Sequence, residues 1–273
     1  MGTAFFDVDG TLIQGSTGML ALETFRRAGY ISYFSSVQAL GYHVLHRAGV
    51  MDAREVYRKA MAPFVGRPVE EVAVHVENLY REAVRPAIYQ RAVELAEEHH
   101  RRGDRVVLLS ASSALLLERF RDVMPVDHIL AFVQKSEEGR YISAYEEPVP
   151  YGAGKLALAE AYLAAEGGTM AEATCYADSI SDLPLLEAAG TPRPTNPDLR
   201  LRRVAEKRAW PTLQFYRVLG RGFDPVDLEQ VPLLGEHGDL LRQEEPPRAG
   251  WGQGGPREEA RGLRPERAAH RRR

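Results

Sequence analysis

The stretch AFFDVDGTLI, residues 4–13, puts two carboxylates, Asp7 and Asp9, one residue apart at the end of an apolar run and follows them with Gly10 and Thr11. Two such charges are costly to bury unless a metal or a phosphate group compensates them. A DxD pair by itself also serves turns and helix caps. Here three further signals follow in order. RVVLLSAS brings Ser110 to the end of an apolar run, YGAGK sets Lys155 at a helix start, and YADSISDLPLLEAAG puts Asp178 and Asp182 just beyond another run.

These residue types suit phosphoryl transfer through a covalent aspartate. A carboxylate attacks phosphorus only where its repulsion with the phosphate is offset, which takes a cation and fixed donors around the phosphoryl oxygens. Asp7 is the nucleophile in such a scheme. Asp178, with Asp7 and a backbone carbonyl near Asp9, offers hard oxygen ligands of the kind Mg2+ prefers. Ser110 donates a hydrogen bond to the transferring group, and Lys155 neutralises it as a point cation. Asp9, two residues on, starts on the same side of an extended backbone as Asp7. It suits a proton shuttle that protonates the leaving alkoxide and then takes a proton from water. Gly10 lets the chain turn away and Thr11 braces the turn.

Plainer roles stand beside these. Ser112 competes with Ser110 for the phosphate, and Asp182 can cap the helix beginning at LPLLEAAG. Lys155 can be a solvated first-turn lysine, although a helix N-terminus disfavours a cation unless an anion is present. Asn196, in PTNPD, reads as a turn residue. His43, His46, His99 and His100 lack partners at metal-ligand spacing and read as surface or interface residues.

The elements that must position these groups follow from the pattern of apolar runs. Thr3 to Val8, Arg105 to Leu109, His128 to Phe132 and Ala173 to Ala177 are continuous rather than alternating, as in strands of a parallel sheet covered on both faces. Arg85 to Arg102 reads as one helix ending at Gly103, and Gly154 to Glu166 as another ending at Gly167 and Gly168. This order indicates an α/β fold with ligand chemistry at the carboxyl ends of the strands. Residues 14–84 contain no convincing strand. Helical spacing recurs there at Val37, Leu40, Gly41, Val44 and Leu45 and at Val69, Val72, Ala73, Val76, Leu79 and Tyr80, so the segment is a helical insertion over the DxD site. FVQKSEEGRYISAY, residues 132–145, reads as a hairpin.

The 273 residues, 44% of them hydrophobic, suffice for a sizeable core, and a formal net charge of -3 gives no basic excess for nucleic acid. The single cysteine, Cys175, rules out an intrachain disulfide and a cysteine-rich zinc site, and fits a reducing, cytoplasmic setting. No basic region precedes the first apolar stretch, so export is not expected, and Ile31 to Val50 is too interrupted for a membrane span. The segment 242–273, dense in Arg, Gly, Pro and Glu, is expected to be disordered.

In motif order, FFDVDGTL, LLSAS, GAGK and YADSISDLPLL resemble the motifs of haloacid dehalogenase (HAD) superfamily phosphatases of the phosphoserine-phosphatase-like branch, subfamily IB, over residues 5 to about 210. The resemblance implies a Rossmann-like core with a parallel sheet, formed by residues 1–13 and 85–220, and an inserted helical cap of the C1 type, residues 14–84. It implies Mg2+ dependence, an aspartyl-phosphate on Asp7, and Asp9 as acid and base. The phosphate would be bound by Gly10, Thr11, Ser110, Ala111 and Lys155, and the metal by Asp7, the Asp9 main chain, Asp178 and Asp182. The implied reaction is hydrolysis of a small phosphomonoester. Transfer to an alcohol through the same intermediate, and a non-catalytic binding or peripheral membrane role, are the alternatives. In one place the chain departs from that branch. Its phosphoserine phosphatases carry a Glu nine residues after the nucleophile to read the substrate's amino-acid end, where this chain has Ser16. That departure argues for a different small ester, such as a polyol phosphate, a phosphorylated amino alcohol or a lipid head-group phosphate.

Overall fold

The computed structural model describes residues 2–32 and 53–220. The helical pattern expected around Val37 to Leu45 and the segment from Arg242 lie outside them. The described residues form seven strands: β1 (Thr3–Phe6), β2 (Arg105–Ser113), β3 (His128–Phe132), β4 (Gln134–Glu137), β5 (Arg140–Tyr145), β6 (Ala173–Ala177) and β7 (Thr191–Pro194). Five make a parallel sheet in the order β3-β2-β1-β6-β7, which sets β1 at the centre with β2 and β6 on its flanks. β4 and β5 pair as the expected antiparallel hairpin, turning through Glu138 and Gly139 at positive φ, 47° and 73°.

The continuous apolar runs are explained by cover on both faces. Ala4 and Phe6 point into one core with Val106, Leu108, Ala92, Leu95 and Ala96. Phe5 points into the other with Val107, Leu109, Ala159, Leu163 and Cys175. The first face is covered by α4 (Gln90–Arg101) and the second by α5 (Ala153–Glu166), with α6 (Leu183–Ala188) and α7 (Leu199–Lys207) completing that side. Between β1 and β2, the described part of the insertion holds α1 (Thr17–Arg27), α2 (Ala53–Met61) and α3 (Val69–Leu79). α3 buries Val72, Val76 and Leu79 as its spacing predicts, and Phe25, Tyr30 and Phe64 pack ring against ring beside it. Among the described residues no helix is long and apolar enough to cross a membrane.

Two expectations need correction. The helix expected over Arg85 to Arg102 is interrupted, because Ile88 and Tyr89 are extended before α4 begins. Tertiary hydrogen bonds override helical propensity there. Tyr89 N donates to Leu12 O (2.9 Å), Gln14 N to Ala87 O (2.8 Å) and Leu219 N to Ile88 O (2.7 Å), tying the return from the insertion to the loop after β1. β7, with the sequence TPRP, carries no apolar run and was not expected. As an edge strand it tolerates Pro192 and Pro194, whose missing N–H groups leave no central ladder unpaired.

Candidate active site

Asp7 and Asp9 follow β1 directly, Ser110 lies within β2, Asp178 follows β6, and Lys155 sits in the first turn of α5. Because β2, β1 and β6 are parallel neighbours, their carboxyl ends bring these residues to one edge of the sheet. Asp7 is anchored as a continuation of β1, its N–H donating to Tyr176 O (2.9 Å). Beyond it the chain turns abruptly, with the N–H groups of Thr11, Leu12 and Ile13 all converging on Val8 O at 3.3, 2.9 and 3.0 Å. This cluster of backbone bonds braces the turn. The Thr11 hydroxyl does not, since its buried Oγ1 has no protein hydrogen-bond partner.

The turn also presses against Asp178. Gly10 adopts φ +75°, and a Cβ there would lie 2.2 Å from Asp178 Oδ2, so only glycine fits. Gly154 plays the same part for Lys155, since a Cβ on it would lie 2.0 Å from Val149 O. The Lys155 ammonium, 3% exposed as a residue, donates to Asp7 Oδ1 and Asp182 Oδ2, both at 2.8 Å. Lys155 is therefore no solvated lysine. Asp182 begins α6 but makes no side-chain cap there. Its carboxylate turns to Lys155 instead.

Burial opposes the Lys155 charge, but Asp182 and Asp7 outweigh it and hold the ammonium protonated well above the ordinary lysine range. For Asp182, burial is the larger influence. Together with Asp7 it pushes the carboxyl up to about 7 against the pull of Lys155. Asp7, Asp178 and Asp182 present oxygens within 4.8 Å of one another, three carboxylates against one ammonium, and Asp182 Oδ1 has no protein hydrogen-bond partner. A six-coordinate Mg2+ with ligands at about 2.1 Å holds its oxygens about 3 to 4.2 Å apart. The donor set is hard, negative in excess and close to that spacing, so it fits a divalent cation.

Asp9 stands apart from these three carboxylates. Its Oδ1 accepts from Thr17 N (2.8 Å), at the start of α1, and its Oδ2 from Ser16 Oγ (3.1 Å). Any share it takes in holding a metal falls to its main chain. Burial is the largest influence on its carboxyl and raises it above the usual range, outweighing the hydrogen bonds from Thr17 and Ser16. Thr17 then links Asp9 to β2. Its hydroxyl lies 2.6 Å from Ser112 Oγ, which accepts from Ser110 Oγ (3.2 Å). Both candidate serines thus reach the site and share one hydroxyl chain. Ala111 lies between them where the β2–β3 register shifts, from Ser110 opposite Ala131 to Ser113 opposite Phe132.

Three supporting residues escaped the sequence reading. Ser16 and Thr17 announce a helix start, but nothing local says that this helix end faces Asp9. Asn196 is more than a turn residue. At φ 47° it donates from Nδ2 to Gly10 O (2.8 Å) and accepts at Oδ1 from Phe215 N (2.7 Å) and Gln214 Nε2 (3.1 Å), holding the Gly10 turn from behind.

A family model of haloacid dehalogenase-like hydrolases matches residues 4–187. The inhibition of morphological differentiation protein of Streptomyces azureus is 31% identical over 232 residues, covering 83% of this chain and 80% of the relative. Phosphoserine phosphatase SerB1 of Mycobacterium tuberculosis is 31% identical over 219 residues, 78% of this chain and 70% of the relative. Among solved structures, a protein of unknown function from Bordetella pertussis Tohama I superposes with a TM-score of 0.71 over 77% of this chain and 97% of that one. At 24% identity this last likeness speaks for the fold alone.

Proposed function

The chain belongs to the haloacid dehalogenase-like hydrolase family, and we propose that it is a phosphatase that hydrolyses a small phosphomonoester through an aspartyl-phosphate on Asp7. In this reading residues 1–13 and 85–220 are the catalytic core and 14–84 a helical cap. The observation that carries it is Lys155 Nζ, held 2.8 Å from both Asp7 and Asp182 beside a third carboxylate, Asp178. That arrangement fixes one cation beside the nucleophile and leaves negative charge to hold another. Mg2+ is the cation proposed, held by Asp7, Asp178, Asp182 and the Asp9 main chain, and it supplies positive charge against the phosphoryl oxygens.

Asp7 attacks phosphorus through a carboxylate oxygen, and the bond from phosphorus to the ester oxygen breaks. Asp9, its carboxyl raised by burial, gives its proton to the departing alkoxide. It then takes a proton from a water whose oxygen attacks the aspartyl-phosphate, releasing inorganic phosphate and restoring Asp7. Lys155 and Ser110 hold the transferring group throughout. Ser16 supports a substrate other than phosphoserine, because the position expected to read an ammonium group holds a hydroxyl turned to Asp9.

The test is phosphate release from a panel including phosphoserine, polyol phosphates, phosphorylated amino alcohols and p-nitrophenyl phosphate, with Mg2+ or EDTA. Turnover that requires Mg2+ and disappears in Asp7→Asn supports the reading. Turnover that survives Asp7→Asn removes the site from the reaction.

A further inference from the structure

One aromatic side chain of the insertion stacks on the end of β3, within electrostatic reach of the carboxylate site, and the mechanism above gives it no role. Tyr57, on α2, lies with its ring parallel to that of Phe132, the last residue of β3, with centroids 4.8 Å apart and planes at 18°. Phe132 in turn meets Tyr145 of β5, 5.6 Å away and tilted by 40°. Such stacking fixes a ring more firmly than burial alone. It seats a residue of the insertion on the carboxyl edge of the sheet, the edge that holds the carboxylates.

Tyr57 itself is half-buried. Burial is the largest influence on its phenol and holds the proton firmly, and the charges that bear on it are those of Lys155, Asp9 and Asp7, with the Tyr151 phenol beside them. It is therefore a neutral hydroxyl within electrostatic reach of both the nucleophile and the proton shuttle. It adds no further negative charge to a site that already has an excess. Among the described residues it has no hydrogen-bond partner, while Ser110, Ser112, Thr17, Ser16 and Asp9 are all engaged with one another. A polar hydroxyl within electrostatic reach of reacting groups and left unengaged has a donor to offer a ligand.

We infer that Tyr57 is a substrate-binding residue, seated by its stack on Phe132, whose hydroxyl donates to an oxygen on the leaving-group side of the ester. Lys155 and the Ser110 end of β2 serve the phosphoryl group from the core, so the donor from the insertion falls to the part of the substrate that differs between esters. The leaving group this suits is uncharged near the ester bond and carries an oxygen acceptor, as a polyol does, with the aromatic shelf of Tyr57, Phe132 and Tyr145 against its carbon skeleton. The inference rests on the phosphatase reading and names its specificity.

The experiment compares wild type, Tyr57→Phe and Phe132→Leu in kcat, KM and thermal midpoint, on the best polyol phosphate of the panel and on p-nitrophenyl phosphate, whose aryl leaving group needs little help. Tyr57→Phe keeps the ring and loses only the hydroxyl. We expect kcat/KM on the polyol ester to fall about tenfold or more, a loss typical of one substrate hydrogen bond, with little change on p-nitrophenyl phosphate and an unchanged midpoint. Phe132→Leu should show the same ester-selective loss, since it unseats the ring. Equal kinetics for wild type and Tyr57→Phe on every ester overturn the inference, as does a uniform loss on all esters with a lowered midpoint, which marks a packing role. A wild type that hydrolyses no ester in Mg2+ brings down the phosphatase reading first, and the inference with it.

Discussion

Two sets of buried polar groups lie along the same sheet, and they are balanced differently. On the α4 face, His99 Nδ1 lies 2.9 Å from both Asp104 Oδ2 and Arg102 Nη2, and its Nε2 lies 2.9 Å from the Tyr176 hydroxyl. Asp104 also accepts from Gly2 N at 3.0 Å and has Arg102 beside it, so every group there is answered. At the carboxyl edge three carboxylates meet one ammonium, and Asp182 Oδ1 and Thr11 Oγ1 are left without partners. The two sets are close neighbours, joined by Tyr176. Its ring stacks on Phe6 at 4.4 Å and its carbonyl accepts from Asp7 N. A closed network of this kind stabilises the fold, whereas an open one costs stability and retains the capacity to bind and react.

Substitution in each set should therefore act on different measurements. Asp7→Asn is expected to lower phosphate release by at least about a thousandfold, as loss of a nucleophile does. Because it relieves repulsion among the carboxylates, it should leave the thermal midpoint unchanged or raise it. A clear fall in midpoint would break the contrast by showing that the carboxylates act structurally. His99→Ala should do the reverse. Leaving the Tyr176 hydroxyl and part of Asp104 unanswered in the core is expected to cost about 2 to 3 kcal/mol in urea unfolding. Turnover measured well below the melt should stay near that of wild type.

A smaller effect tests the negative excess directly. If the carboxylate set holds Mg2+ in the folded state alone, the ion at ten times its dissociation constant stabilises the protein by about 1.4 kcal/mol. Melting curves with Mg2+ and with EDTA should differ accordingly for wild type and should converge for Asp178→Asn. His99→Ala should keep the full Mg2+ shift even as its baseline falls. An equal shift in all three proteins would place the ion elsewhere.

The contrast also marks what the sequence could reveal. Asp7, Asp9, Ser110, Lys155, Asp178 and Asp182 were legible because each follows an apolar run or opens a helix, and in a parallel sheet such ends converge. The four strands that read as apolar runs are present for the same reason. His99 was not legible as a core residue. It lies in the polar stretch EEHHRRGD, and its partners Asp104 and Tyr176 come from different elements, so no local spacing announces them. Ser16, Thr17 and Asn196 were missed similarly. Each supports a candidate site residue through a contact that exists only once α1 and the loop after β7 are packed against the β1 turn. β7 hid behind its prolines, and the helix over 85–102 was broken by hydrogen bonds to a loop more than seventy residues earlier.

The smallest effect is one of sign. Burial is the largest influence on His99 and holds its imidazole below the ordinary value of 6.5, with Arg102 acting in the same sense and Asp104 opposing. Between its folded value and 6.5 the unfolded chain binds more protons, so this group makes stability rise with pH. Asp182 acts oppositely. Its folded carboxyl titrates at about 7 against an ordinary 3.8, so between those values the folded state binds more protons and stability falls as pH rises. Each proton contributes a slope of at most about 1.4 kcal/mol per pH unit, and in wild type the two slopes oppose one another below pH 6.5. Urea midpoints at pH 5.5 and 6.5 in EDTA should separate them. His99→Gln is expected to leave the falling slope and Asp182→Asn the rising one. Variants that keep the wild-type slope would show that neither set differs from the unfolded chain in the way its burial requires.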